Sequence, residues 1–278
     1  MPDDDSTLRA ARDWWRTELI DIEPGVIRLR GYPIQELIGN LGFAQVVWLL
    51  LRGEVPSAAQ AALLEAAMVA SVDHGPQAPS IAIARMAATC GIGLQSAVAS
   101  GVNALGDVHG GAGEACLRLL IAVDEAARPS EEAAVTVRRV LAERSEEIGR
   151  YVPGFGHRFH PLDPRVPRLA ALTMEAAQNG TVDGRFVAIG RALEAAVAER
   201  AGKPVPMNID GITAVVYAEL GFAAPLARGL FVLSRSVGIL AHAWEQTQQG
   251  GRIKGPTPPA FLYTYDGPSE RHLTVEAD

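Results

Sequence analysis

The chain has 278 residues, 48% of them hydrophobic, and a formal net charge of −7. That is enough apolar material for one large core or two smaller ones, and the acidic balance speaks against a general nucleic-acid binder, which shows a basic face. Two cysteines, Cys90 and Cys116, cannot build a disulfide framework and are expected to be small core residues in a reducing compartment; with an acidic N-terminus and no apolar run near the ~20 residues of a membrane span, the expectation is a cytoplasmic protein with no membrane contact.

Residues 1–10 read as a frayed tail, with helix starting near Trp14. Pro24-Gly25 is a turn signal between two short apolar runs and predicts a small N-terminal hairpin within 19–31. From Pro33 onward the pattern is helical. Ser57 with Gln60 reads as a capping box. Apolar and alanine-rich periodicity predicts helices over 57–72, 78–88, 91–106, 112–127, 130–149, 166–178, 184–201, 211–220 and 224–248. No alternation of β type extends over neighbouring segments, so the expected class is all-α. Three stretches interrupt the helices, 106–113, 151–167 and 203–211, and the tail from Gly250 with its prolines is expected to be looped.

The interruptions carry the chemistry. Of six histidines, two lie among glycines: Gly-Asp-Val-His109-Gly-Gly-Ala-Gly and Pro-Gly-Phe-Gly-His157-Arg. Glycines beside a histidine let a ligand approach the backbone and expose amide N–H groups. Either motif alone reads equally well as a helix cap with an incidental histidine; the pair favours function. His157 and His160 are three apart, but Pro161 follows and no third ligand stands near, so no metal site is expected. The stretch 151–168 sets Arg158, Arg165 and Arg168 against the single acid Asp163, which suits either an anionic ligand or a solvated basic loop. Arg235 interrupts the otherwise apolar run 230–240 of a helix expected to be largely buried. A buried arginine needs a partner, either an internal carboxylate or a substrate carboxylate. Arg228, Arg235 and His242 follow at intervals of seven and share a face. Asp210, before a helical run, reads as an N-cap, though burial would lift its pKa toward general-base range.

In order along the chain these residues resemble the citrate synthase superfamily. Residues 27–37 (Ile-Arg-Leu-Arg-Gly-Tyr-Pro-Ile-Gln-Glu-Leu) are similar to its entry motif, followed by Leu-Leu-Leu-Arg-Gly-Glu-Val-Pro56. Asp73-His74, His109-Gly-Gly, Gly154-Phe-Gly-His157-Arg with Asp163-Pro-Arg165, Asn208-Ile-Asp210-Gly and Arg235 follow. The resemblance implies a two-domain helical fold, with 110–216 as the smaller, CoA-side domain and 1–109 with 217–278 as the larger, dimer-forming one. It implies Asp210 as base, His109 on the enol, His157 on the carbonyl, and His74, Arg165 and Arg235 on carboxylates. Gly154, Phe155, Gly156 and Arg158 would lie near CoA. The implied ligands are a CoA thioester and oxaloacetate or citrate, with no tightly bound cofactor, in a homodimer or higher oligomer. Two features depart from a full synthase. A single helix joins Pro56 to Asp73 where the family has a longer block, which looks more like citryl-CoA lyase, including that module of ATP citrate lyase. The usual C-terminal arginine is missing from 257–264, with Arg252 or Lys254 as replacements. The expected activity is therefore retro-Claisen cleavage of citryl-CoA, with a short citrate synthase as the alternative and a non-catalytic CoA-ester-binding subunit as the second.

Overall fold

The structure, a computed structural model, describes residues 4–157, 161–253, 257, 258 and 260–273. Helix α1 (Asp4–Trp14) is followed by strands β1 (Ile20–Glu23), β2 (Val26–Leu29) and β3 (Tyr32–Pro33), then α2 (Ile34–Leu37), α3 (Phe43–Arg52), α4 (Ala58–Ser71), α5 (Pro79–Thr89) and α6 (Leu94–Asn103). The second half holds α7 (Ala112–Ala126), α8 (Ala133–Glu143), α9 (Ser145–Ile148), α10 (Arg165–Gln178), α11 (Arg185–Ala201), α12 (Ile209–Glu219) and α13 (Ala224–Gln248). The protein is thus mainly helical, with one small antiparallel sheet in the order β1-β2-β3.

Local chemistry sets several boundaries. The hairpin turns at Pro24-Gly25 with Gly25 at φ +79°, the positive φ that the third residue of a type II turn needs. Ser57 Oγ accepts from the Gln60 N–H at 3.2 Å while Gln60 Oε1 accepts from the Ser57 N–H at 3.0 Å, closing the expected capping box at α4. Pro79 opens α5 at a position where its missing N–H costs nothing.

Four expectations need correction. The N-terminal segment forms α1, and Trp14 ends that helix instead of starting one. The run 130–149 is divided, because Arg144 leaves helical geometry at φ −104°, ψ 21° between α8 and α9. Cys116 is buried but Cys90 is exposed. Helix α13 has an outer apolar face, with Val237, Leu240 and Trp244 each 45–57% exposed. By length and composition α13 also suffices to cross a bilayer; its packing on α4, α5, α6 and α7 and its charged Arg228 and Arg235 make it a core helix here.

The main core gathers α4, α7, α10, α11 and α12 around Leu64, Leu117, Leu120, Leu193 and Val216. A smaller cluster joins α5, α6 and α13 through Ile81, Ala84, Ala97, Ile239 and Ala243. Its small residues let three helices close up: a Cβ on Gly101 would stand 2.6 Å from Ser80 O and 2.8 Å from Ile239 Cγ2. That close approach fixes the start of α5, where the candidate site begins.

Candidate functional site

His109 stands in the loop ahead of α7. Its Nε2 faces both the Ser80 N–H at 3.2 Å and Ser80 Oγ at 3.0 Å. A backbone N–H can only donate, so Nε2 accepts and the ring hydrogen is on Nδ1, free for a ligand. Burial, then the charge of Arg235, pushes the His109 pKa below its ordinary value, which keeps the ring neutral. The loop is tight: a Cβ on Gly111 would come within 2.4 Å of Asp107 O. Asp107 is in turn held by Arg228 at 2.7 Å, and Arg228 also reaches Glu114 at 2.6 Å. Sequence reading missed Ser80, which sits 29 residues from its partner with no local signal.

Asp210 lies at the second position of α12, and the N-cap is Asn208, whose side chain accepts from the amides of Asp210 at 3.0 Å and Gly211 at 3.2 Å. The capping role read for Asp210 is therefore Asn208's. Asn208 Nδ2 also donates to Gly156 O at 2.7 Å, which ties α12 to the His157 loop. No described residue hydrogen-bonds the Asp210 carboxylate. Loss of water around that carboxylate raises its pKa; Arg235 and Arg165 pull it down, Asp163 adds to the rise and His157 opposes it. An elevated carboxyl pKa at a helix N-terminus means desolvation outweighs the helix dipole.

Gly154 and Gly211 explain how this part closes. At Gly154, φ is +88° and a Cβ would meet Cys116 Sγ at 2.7 Å and Gly211 Cα at 2.8 Å. Gly154, expected beside CoA, is buried and packs against Cys116 and Gly211. Phe155 pairs with Met207 in an isolated antiparallel bridge, and the Gly156 N–H donates to Pro206 O at 2.8 Å. Phe155, Gly156 and His157 line a cavity of about 660 Å³ with Arg150, Arg200 and Lys203 on its wall. Those three cations were not singled out from the sequence. Arg158, and Lys254 in the tail, fall outside the described residues.

His74 and His157 face each other edge to face, ring centroids 5.8 Å apart. Burial lowers the His74 pKa, and Arg165, Arg235 and His157 lower it further against the opposing pull of Asp163. Arg165 does not stand free: its Nε and NH2 grip Asp163 at 2.9 and 2.7 Å, and NH1 donates to Ala70 O at 3.3 Å. Burial would raise the Asp163 carboxyl, but this grip overrides it and holds the pKa at about 2. Arg235 is 4% exposed. Its Nε donates to Ser71 O at 3.1 Å and its guanidinium lies 4.8 Å from the Phe231 ring. No carboxylate among the described residues forms an ion pair with it. The structure therefore collects His74, His109, His157, Arg165, Asp210 and Arg235 into one electrostatically coupled group. Such a group has a neutral donor, a protonatable carboxylate and a buried cation suited to an anionic ligand.

The family described as citrate synthase, C-terminal domain, matches residues 11–66 and 58–257. A 2-methylcitrate synthase of Mycobacterium tuberculosis is 35% identical over 82% of this chain and 55% of its own length. A citrate synthase of Haloferax volcanii is 30% identical over 84% of this chain and 58% of its own. The chain thus spans a little over half the length of these curated relatives. The solved structure of citryl-CoA lyase from Hydrogenobacter thermophilus superposes with a TM-score of 0.79 at 30% identity, covering 92% of this chain and 96% of that one.

Proposed function

The chain belongs to the citrate synthase family, and we propose that it cleaves citryl-CoA to acetyl-CoA and oxaloacetate. The observation that carries the direction is the shortened first half. Helix α4 alone leads from Ser57 to the turn at Asp73, and the two family matches overlap at 58–66, as expected when an intervening block is absent. The TM-score of 0.79 at 30% identity with the Hydrogenobacter lyase supports the same reading.

In this proposal His157 takes the hydroxyl proton of citryl-CoA. The carbon–carbon bond then breaks, leaving oxaloacetate and an acetyl-CoA enolate whose oxygen is bonded by His109 Nδ1–H. Protonated Asp210 delivers its proton to the methylene carbon, giving acetyl-CoA; exchange with solvent returns the His157 proton and resets Asp210. The raised Asp210 pKa supports this step by favouring the acid form. His74 and Arg235 bind the carboxylates of the oxaloacetate half, and Arg165 contributes its charge from within its pair with Asp163. The CoA phosphates lie against Arg150, Arg200 and Lys203, with Phe155 and Gly156 alongside. Residues 110–216 form the smaller domain of this arrangement.

The assay is direct. At matched enzyme concentration, oxaloacetate release from citryl-CoA is expected to outpace thiol release from acetyl-CoA plus oxaloacetate. The reverse order would assign a short synthase, the reading favoured by the 35% identity to 2-methylcitrate synthase; the same residues serve both directions. We also propose a homodimer, since α5 exposes Ile83 and Met86 while the helix packed on it, α13, exposes Val237, Leu240 and Trp244. Light scattering is expected to return twice the chain mass of 29.4 kDa, and a monomer would remove the dimer from the proposal.

A further inference from the structure

One face of α13 holds the segment that delivers His74. Ser234 Oγ donates to Met68 O, and Arg235 Nε to Ser71 O. A Cβ on Gly238 would come within 2.4 Å of Val72 O and 2.8 Å of Asp73 Oδ1, so the chain crosses the helix at this glycine. One turn on, His242 Nε2 lies 3.2 Å from Asp73 Oδ1. Positions 234, 235, 238 and 242 share a face at helical spacing.

The last contact differs from the others because its donor is itself oriented. Arg85 NH1 lies 3.3 Å from His242 Nδ1, and Arg85 is fixed by Glu245 at 2.5 Å and Gln249 at 2.8 Å. A guanidinium only donates, so Nδ1 accepts and the ring hydrogen sits on Nε2, aimed at Asp73. The other oxygen of Asp73 accepts the Gly75 N–H at 3.1 Å. The carboxylate is thus clamped from both sides of His74, and it is a negative charge felt by the buried Arg235.

We infer that His242 is a positioning residue for the dicarboxylate end of the site: through Asp73 it fixes the His74 segment and the counter-charge of Arg235, without touching substrate. The inference rests on the proposed function, which identifies that end as the oxaloacetate half. The relevant geometry is Nε2–H donation, and side-chain length tests it. A glutamine amide reaches about as far as Nε2, whereas an asparagine amide stops near Nδ1.

The test is calorimetric titration of oxaloacetate into the whole protein, with melting curves and citryl-CoA turnover for each variant. His242→Leu is expected to weaken oxaloacetate binding about tenfold, the scale of a lost hydrogen bond to a charged group. His242→Gln is expected to stay within about threefold of the wild type while His242→Asn follows leucine, and kcat at saturating citryl-CoA should move by less than about threefold in all. Equal losses in glutamine and asparagine variants, or losses that track melting temperature alone, would make His242 a helix staple and overturn the inference. Wild-type binding with unchanged binding in His242→Leu would overturn it while leaving the proposed function standing. Failure of the wild type to bind oxaloacetate would overturn both.

Discussion

The start of α10 and the middle of α13 each bring an arginine into the site, in opposite electrostatic conditions. Arg165 is satisfied by the protein: it holds Asp163 bidentately, with the carboxylate side chain fully buried and the guanidinium 22% exposed. Arg235 is more deeply buried and has a backbone carbonyl and an aromatic ring but no carboxylate among the described residues. Burial drives the Arg235 pKa below its ordinary value, with Asp73 and Asp210 pulling it back. The first arrangement builds structure. Under the proposed function, the second keeps a desolvated charge for a substrate carboxylate, a cost to stability that a binding site can carry.

Arg165 carries the structural half of this contrast. Arg165→Leu leaves Asp163 buried and alone, and is expected to destabilise the fold by about 3 kcal/mol in denaturant titrations. Replacing Asp163 as well should recover most of that loss, since no orphaned charge remains. Asp210 feels both arginines, and Asp210→Asn is expected to cut turnover by about 10² or more while leaving oxaloacetate binding nearly intact. Near-normal turnover would reduce Asp210 to a spectator of Asn208's cap. Arg235→Leu should do the reverse of Arg165→Leu: oxaloacetate binding weakens by about thirtyfold, and stability changes by less than about 1 kcal/mol. Loss of stability without loss of binding would show that Arg235 is the structural arginine.

The smallest effect is in acid. The Asp163 pKa is lowered from 3.8 to about 2. A depressed carboxylate contributes stability above its unfolded value, and that contribution drains away as pH falls from 3.8 through about 2. Acid titration followed by circular dichroism should show this component in the wild type and lose it in Arg165→Leu. Asp210 has the opposite sign: its raised pKa favours the fold below 3.8 and the advantage is lost as pH rises through the folded value.

What the sequence made legible follows from how local each cause is. The bounds of α13 coincide with its apolar run at 224–248, and the capping box at Ser57 needs only three residues of spacing. The hairpin is visible because Pro24-Gly25 dictates its turn. The rest depends on contacts the spacing cannot show. Ser80 orients His109 from another helix, and Asn208 takes the cap that Asp210 had equal local claim to. Asp163 neutralises Arg165 from two residues away, so the cationic surplus read in 151–168 is smaller than its count suggests. The outer face of α13 is apolar yet exposed, because hydrophobicity alone does not distinguish a core-facing side from one awaiting a neighbour.

Gly154, Gly211 and Gly238 limit how this sequence can drift. At Gly211 a Cβ would stand 2.3 Å from Gly154 O, and at Gly238 2.4 Å from Val72 O; both obstacles are backbone, which cannot rotate aside as a side chain can. Neither position can accept even alanine unless a second segment moves first, and that segment carries His157 in one case and His74 in the other. Single substitutions there therefore have no neutral route, whereas Gly25 meets nothing within 4 Å and is constrained only by its φ. Descendants that keep His109, His157 and Asp210 but gain a side chain at 211 will have rebuilt the distance between the histidine loop and the aspartate helix, and with it the geometry on which the proposed reaction depends.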